Sequence, residues 1–246
     1  MGQRVSSSRI LASVFMLGAF PALAESNVDI KDLEGLFVGV DVAYNHSSVK
    51  NNETGGVGMS GNRKEDVPSD ELVKRERGRC FVDPSINIGY SHFFGNWYLG
   101  LAGDVSFGKN SKEFIMTDID EGYEAKIDGI SYGVKVKGGY YVSKLDSVVY
   151  GIVGVKWREV SYRRRVDDQL FSKAKLKNPS FLLGLGFERS VCKNLSLSAE
   201  YEYSWRNSSS NTLWKIGDDS VNYNVDYNVK QKLREHSLKV GFKYHI

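Results

Sequence analysis

Hydrophobic and polar residues alternate along most of the chain after residue 35, as they do in strands whose side chains lie on opposite faces. In 195–206, leucine, alanine, tyrosine and tryptophan occupy every second position, and serine, glutamate and arginine occupy the positions between them. The same period of two recurs elsewhere. It predicts eight strands, at 36–46, 85–94, 97–108, 129–142, 148–161, 181–189, 195–206 and 236–246.

The connections between the predicted strands alternate between short and long. Short turns are predicted at 95–96, 143–147 and 190–194, and long polar connections at about 47–82, 109–128, 162–180 and 207–233. In an antiparallel meander this order puts every short turn at one end of the strands and every long connection at the other. That asymmetry, with strands of about ten residues, is typical of outer-membrane β-barrels.

The two faces of the predicted strands differ in composition. One face carries aromatic and aliphatic residues, and the other carries glycine, serine, alanine and charges of both signs. A soluble barrel would turn the apolar face inward, but eight strands enclose a space only wide enough for side chains to fill. Small residues and paired charges fit there better than stacked aromatic rings. We therefore expect an all-β, eight-stranded antiparallel up-and-down transmembrane β-barrel.

This orientation predicts a charge network inside the lumen, because buried charges are tolerated when they are paired. Its predicted members are Asp41, Asp104, Lys135, Lys137, Lys156, Arg158, Glu188, Glu200, Glu202, Arg206, Lys239 and Lys243. It also predicts two aromatic belts at the membrane interfaces. The belt residues are Tyr44, Phe107, Trp157, Tyr203 and Trp205 toward the long connections, and Phe94, Trp97, Tyr140 and Tyr244 toward the short turns.

The first residues read as an export signal. Arg4 and Arg9 precede an apolar run from Ile10 to Phe20, and Ala22-Leu23-Ala24 supplies the small-x-small pattern of a cleavage site. We expect 1–24 to be a signal peptide removed near Ala24, 25–34 a periplasmic segment, and 35–246 the barrel domain.

Composition narrows the function classes. Charged residues make up 26% of the chain and the formal net charge is only +3, so no nucleic acid partner is expected. No apolar stretch reaches the roughly 18 residues of a spanning helix, which excludes a helical membrane protein. The four histidines are scattered, so we expect no metal site and no cofactor. Cys80 and Cys192 should lie at opposite ends of the barrel and should not form a disulfide.

Motifs that suggest enzyme chemistry lack the context that they need. Gly56-x-Gly58-x-x-Gly61 lies in a polar connection without the βαβ unit of a dinucleotide site. His46-Ser47, Ser91-His92 and His236-Ser237 are adjacent pairs, and adjacent strand residues face opposite sides, which argues against a shared catalytic site. We expect no enzyme activity, although an outer-membrane lipid-modifying enzyme remains a third alternative.

The run Gly184-Leu185-Gly186-Phe187-Glu188, followed by Asn194-Leu195-Ser196-Leu197 and Ala199-Glu200-Tyr201-Glu202-Tyr203, resembles the small outer-membrane β-barrel family of Gram-negative bacteria. This family includes opacity-type, Omp25-like and OmpA transmembrane domains. The resemblance covers about 35–246 and implies residence in the bacterial outer membrane. It also implies contact of the C-terminal strand with the barrel-assembly machinery. Such barrels usually end on Phe, Tyr or Trp, whereas this chain ends on Ile246.

Two main functions follow as hypotheses. The first is a non-enzymatic barrel that contributes to envelope integrity and presents long loops, which are the candidate contacts for host or environmental surface ligands. The second is a narrow passive channel for small solutes. In either case the expected partners are outer-membrane lipids and lipopolysaccharide. Arg163, Arg164 and Arg165 are candidate contacts for lipopolysaccharide phosphates, with a plain solvated loop as the alternative.

Overall fold

The computed structural model describes residues 33–54, 57–60, 63–66, 74–108, 112–118, 121–166, 169–176, 178–216 and 223–246. The predicted signal peptide and most of 25–34 lie outside the described residues. The strands are β1 (Gly35–Thr54), β2 (Val57–Ser60), β3 (Arg63–Asp66), β4 (Lys74–Phe94), β5 (Trp97–Phe107), β6 (Lys112–Asp118), β7 (Glu121–Val142), β8 (Ser147–Val166), β9 (Gln169–Leu176), β10 (Pro179–Cys192), β11 (Leu195–Ile216) and β12 (Tyr223–His245). A 3-10 helix covers Ser143–Leu145.

Eight of these strands form a closed wall. They pair antiparallel in the order β1-β4-β5-β7-β8-β10-β11-β12, and β12 pairs with β1 to close the sheet. The remaining strands, β2, β3, β6 and β9, extend the edges of the wall beyond its long-connection end. The predicted all-β, eight-stranded up-and-down barrel is therefore confirmed. None of the helices within the described ranges has the length and apolarity to cross a membrane.

The short turns are as tight as predicted, and two are shorter. Gly95-Asn96 joins β4 to β5, while Ser147 already belongs to β8 and Cys192 still belongs to β10. Gly95 and Asn194 adopt positive φ, of 63° and 65°. Glycine and asparagine are the residues that tolerate this left-handed conformation best.

The wall strands extend further into the long connections than the sequence predicted. Asn52 of β1 still pairs with Lys74 of β4, and Ile216 of β11 pairs with Tyr223 of β12. The alternation of apolar and polar residues fades there, because side chains beyond the membrane no longer face lipid. Backbone N–H and C=O groups can nevertheless continue the ladder, and periodicity alone does not detect this.

The apolar face of the wall points outward. Leu185 is 68% exposed and Ile88 is 60% exposed, whereas the polar-face residues Lys135 and Glu202 are 4% and 2% exposed. A chain surrounded by water would bury Leu185 and Ile88 and would expose Lys135 and Glu202. This inversion defines an outward apolar band, which runs from Leu36 to Tyr44 in β1 and includes their counterparts on the other strands.

Inside the barrel, an apolar cluster packs near the short-turn end and continues toward the middle. It contains Leu33, Tyr98, Val148, Tyr150, Ile152 and Leu182. The Tyr150 ring lies against Gly186, where an added Cβ would collide with ring carbons. Gly186 is thus the partner that lets a large aromatic side chain fill the narrow lumen.

Candidate functional site

The lumen holds buried acidic and basic side chains in three successive layers. Including the half-buried Asp41, it contains seven carboxylates and seven lysine or arginine side chains among the described residues. The acids are Asp41, Asp83, Asp104, Glu188, Glu200, Glu202 and Glu235, and the bases are Lys135, Lys137, Lys156, Arg158, Arg206, Lys239 and Lys243. We call this set the lumen network. Its formal charges cancel, so it needs no counter-ion.

The middle layer joins four strands. Lys135 Nζ of β7 lies 3.0 Å from Asp104 Oδ1 of β5 and 2.5 Å from Glu202 Oε1 of β11. Lys239 Nζ of β12 lies 3.0 Å from Glu202 Oε2 and 3.4 Å from Asp104 Oδ2. Each acid therefore lies between two ammonium groups, which offsets the cost of removing these charges from water.

The layer nearest the short turns combines ion pairs with hydroxyl and imidazole groups. Lys137 Nζ lies 2.5 Å from Glu200 Oε1, and the Tyr150 hydroxyl donates to the same oxygen over 2.8 Å. Lys243 Nζ lies 2.5 Å from Glu188 Oε2. On the other oxygen of Glu188, His245 Nε2 is 3.1 Å away. These contacts place the layer beside the apolar cluster, since Glu188 is the cross-strand neighbour of Val148.

The outer layer is built around Glu235. Arg158 Nη1 lies 2.7 Å from Glu235 Oε2, and Lys156 Nζ lies 2.6 Å from Glu235 Oε1. Arg158 also contacts Asp83 Oδ2 through Nη2, at 2.9 Å. The Ser47 hydroxyl donates to Glu235 over 2.6 Å. This layer ties β8 to β12 and β4.

All twelve residues predicted for the lumen lie on its inner face, but two have other partners than expected. Arg206 was expected to pair with carboxylates; instead it donates from Nη1 to the backbone carbonyls of Arg158 and Asn178, at 3.0 and 2.8 Å. Asp41 accepts from Asn87 Nδ2 at 2.5 Å. One carbonyl lies within β8 and the other just before β10, and both are within reach of the long Arg206 side chain.

Sequence reasoning missed Asp83 and Glu235, because both lie just outside the predicted strands. Their positions continue the inward series of the neighbouring strands: Asp83 precedes Ser85 and Asn87, and Glu235 precedes Ser237 and Lys239. Extending the period of two by one step would have included both.

The predicted belt residues all lie on the outer wall, and several contact each other. Tyr203 and Trp205 stack with ring centroids 5.6 Å apart. Trp157 stacks at 5.5 Å on Tyr132, an outward tyrosine that the prediction did not include. Trp97 meets Tyr140 edge to face at 5.5 Å. Such rings suit the interface between lipid chains and headgroups.

The adjacent His–Ser pairs are split between the two faces. Ser47, Ser91 and Ser237 are buried inside the barrel, whereas His46, His92 and His236 lie on the outer wall. His46 Nδ1 contacts Cys80 Sγ at 3.2 Å. No group of three His, Cys, Asp or Glu side chains in the described part of the chain is arranged to hold a metal ion.

Just beyond the apolar band, the outer wall is positively charged. Lys232 and Arg234 of β12 lie there, close to His46 and His236. The backbone of Arg163–Arg165 continues β8, but the side chains of this run, the candidate lipopolysaccharide contacts, lie outside the described residues.

A closed barrel with an apolar outer wall, aromatic residues at both edges and a charged lumen defines a transmembrane β-barrel protein. The model of the outer membrane protein β-barrel domain matches residues 10–245. The chain therefore belongs to this family, and the family places it in the bacterial outer membrane. No curated protein sequence matches the chain.

Solved structures of several small outer-membrane proteins are similar in fold. Ail, the attachment invasion locus protein of Yersinia pestis, solved with the heparin analogue sucrose octasulfate, is 14% identical with a TM-score of 0.41, covering 86% of this chain and 99% of its own. OprG of Pseudomonas aeruginosa is 12% identical with a TM-score of 0.42, covering 87% and 97%. The outer membrane protease OmpT of Escherichia coli is 11% identical with a TM-score of 0.49, covering 90% and 99%.

Proposed function

We propose that this protein is a non-conducting, non-enzymatic outer-membrane barrel that reinforces the envelope and presents its long connections to the outside. The observation that carries the proposal is the filled lumen. Three layers of ion pairs follow one another along the barrel, and the apolar cluster around Tyr98 and Tyr150 occupies the short-turn end. A solute would have to break several buried ion pairs to pass, and breaking one costs about 3–5 kcal/mol.

The proposed function also includes export of the chain and contacts at the cell surface. Cleavage near Ala24 would deliver the chain to the periplasm, and the C-terminal strand β12 would engage the assembly machinery. The long connections, including Arg163–Arg165, would then face lipopolysaccharide and surface ligands outside the cell. The opposite faces of each His–Ser pair support the absence of hydrolytic activity, because none of the three serine hydroxyls can reach its neighbouring imidazole.

A narrow channel is the second candidate, and one observation favours it. Several buried polar atoms of the described lumen have no hydrogen-bond partner, among them Asn45 Oδ1, Ser85 Oγ, Asn87 Oδ1 and Ser237 Oγ. They lie on β1, β4 and β12, in the outer half and middle of the lumen. Water is the partner that buried polar groups of this kind commonly bind, so this part of the lumen is suited to hydration, which a narrow channel would need.

Planar-bilayer recording of the purified full chain separates the two candidates. We expect no stable single-channel current from the native protein. The matched control is the double variant Tyr98→Ala and Tyr150→Ala, which removes the aromatic block and should show small, stable currents if the recording can detect a water path. Comparable currents from the native protein would refute the non-conducting function.

A further inference from the structure

The outer wall beyond the apolar band carries a cluster of cations on two adjacent strands. Lys50 of β1 lies directly opposite Lys232 of β12, and Arg234 lies two positions further along β12 on the same face. These outward positions alternate with the buried Val49, Leu233 and Glu235. We call Lys50, Lys232 and Arg234 the seam cations, because β1 and β12 close the barrel.

This arrangement is unfavourable without an anion. Like charges directly opposite each other on neighbouring strands destabilise a sheet. Glu76 is the cross-strand neighbour of Lys50 on its other side, so the backbone register supplies one carboxylate for three cations. Among side chains that the structure describes, none forms a salt bridge with the seam cations.

The cluster lies at the height of lipid headgroups. The row of cross-strand neighbours below it contains Cys80, His46, His236 and Tyr203, and the next contains Val82, Tyr44, Leu238 and Tyr201. The second of these rows begins the apolar band. Arg234 therefore lies in the same row as the interfacial Trp205, and Lys50 and Lys232 lie one row beyond it. Phosphate groups are found at this height, and lysine and arginine bind them well.

The same strands carry an apolar groove deeper in the membrane. It has a volume of about 390 Å³, and its lining atoms are almost all apolar. The apolar lining residues are Val40, Val42, Pro84, Ile86, Phe107, Val240 and Phe242. Val42 and Lys50 are eight residues apart in β1, or about 20 Å along a tilted barrel axis. That separation matches the reach of a lipid from its headgroup into a leaflet of a hydrocarbon core about 30 Å thick.

We propose that the seam between β1 and β12 binds one phosphorylated, acylated lipid of the outer leaflet. Its phosphate lies among Lys50, Lys232 and Arg234, and one of its acyl chains occupies the groove around Val42 and Phe242. This site rests on the proposed orientation with the long connections outside. It is separate from the Arg163–Arg165 run, and it does not depend on whether the lumen conducts.

The test is lipid binding by the purified full chain in detergent, measured by native mass spectrometry with diphosphorylated lipid A as the probe. The double variant Lys50→Gln and Lys232→Gln should lose about tenfold or more in affinity, since each lysine supplies a charge-assisted contact. Arg234→Gln should weaken binding similarly. The matched control, Lys144→Gln with Lys193→Gln, removes two exposed lysines from the short turns and should bind like the native chain. Unheated gel mobility verifies that each variant is folded.

Three further arms identify the occupant. The native chain should bind dephosphorylated lipid A only weakly. Its affinity for that lipid should be about equal to the affinity of the lysine double variant for the diphosphorylated probe. Val42→Trp, which fills the groove, should weaken binding of the full lipid without affecting a headgroup analogue that lacks acyl chains. Inorganic phosphate that displaced lipid A fully at millimolar concentration would overturn the lipid site in favour of a free-anion site. Unchanged affinity in the lysine double variant, with loss only on replacing Arg163–Arg165, would overturn it as well.

Discussion

Lys135 Nζ lies 2.5 Å from Glu202 Oε1 and 3.0 Å from Asp104 Oδ1, so one ammonium group joins three strands of the wall across the lumen. All three side chains are almost completely removed from solvent. In a barrel surrounded by lipid, such contacts replace the apolar core that a soluble domain would have. The interior of the barrel is therefore held together by polar contacts as well as by its apolar cluster.

Removing one member of this triad should cost more than removing two. Lys135→Met leaves Asp104 and Glu202 facing each other with Lys239 as their shared cation, and we expect a loss of about 3–5 kcal/mol in the free energy of unfolding. Lys135→Met with Glu202→Met keeps the Asp104–Lys239 pair and should lose clearly less. Urea unfolding in micelles, followed by tryptophan fluorescence, measures both. If the double variant lost as much stability as Lys135→Met alone, or more, Lys135 and Glu202 would not be coupled in this way.

Gly186 and Tyr150 should be coupled by packing. Gly186→Leu places carbon atoms where the Tyr150 ring lies, and we expect a loss of about 3 kcal/mol, at the upper end for overpacking. Adding Tyr150→Ala should restore much of the folded fraction, measured by the mobility of unheated protein on gels. The matched control is Gly138→Leu, because a Cβ added at Gly138 meets no atom within 4 Å and faces lipid. Gly95→Leu would not be a suitable control, because Gly95 has a positive φ. A rescue that failed would mean that Gly186 acts through its backbone rather than through the ring.

Cys80 and Cys192 should remain separate thiols. Both are free and exposed; Cys80 pairs with His46 beyond the apolar band, and Cys192 ends β10 beside a short turn. The apolar band of such barrels is about 25 Å tall, whereas bridged Cα atoms lie about 4.4–6.8 Å apart. Mass spectrometry of the non-reduced, digested monomer should find no Cys80–Cys192 peptide. Its detection would overturn the strand order.

The two ends of the barrel should differ in how accessible they are to a protease added outside the cell. Protease added to intact cells should cut within 47–82 or 207–233 and should spare the turns at 143–147 and 190–194. The same turns should become accessible only after the outer membrane is permeabilised. Immunoblots against the two termini identify the cut ends, and cleavage at a short turn in intact cells would mean that the barrel is oriented the other way.

The sequence was sufficient to predict the strands of the wall and which of their faces points inward. The period of two is visible directly in residues such as Leu197, Ala199 and Tyr201. It was not sufficient for the ends of the strands. Beyond the membrane, hydrogen bonding rather than side-chain burial maintains the ladder, so β1 and β11 continue through residues with no clear alternation.

Periodicity also could not predict which charged side chains pair inside the lumen. Alternation placed Glu202 and Arg206 in the same interior as Lys156 and Arg158, but it did not show which groups meet. Partners across the lumen depend on the tilt and stagger of the strands. That geometry brings Glu235 to Arg158, and it gives Arg206 two carbonyl oxygens instead of a carboxylate.

The carboxylates of the lumen network come in two groups along the chain, with the first cations between them. Three aspartates lie in β1, β4 and β5, four cations follow in β7 and β8, and all four glutamates come in β10, β11 and β12. Of the described carboxylates, Lys137 and Lys156 contact only these late glutamates, Glu200 and Glu235. A chain that stopped after β8 would therefore leave two buried ammonium groups without their carboxylates, which makes the last strands a chemical requirement for a neutral lumen as well as a geometric one for closure.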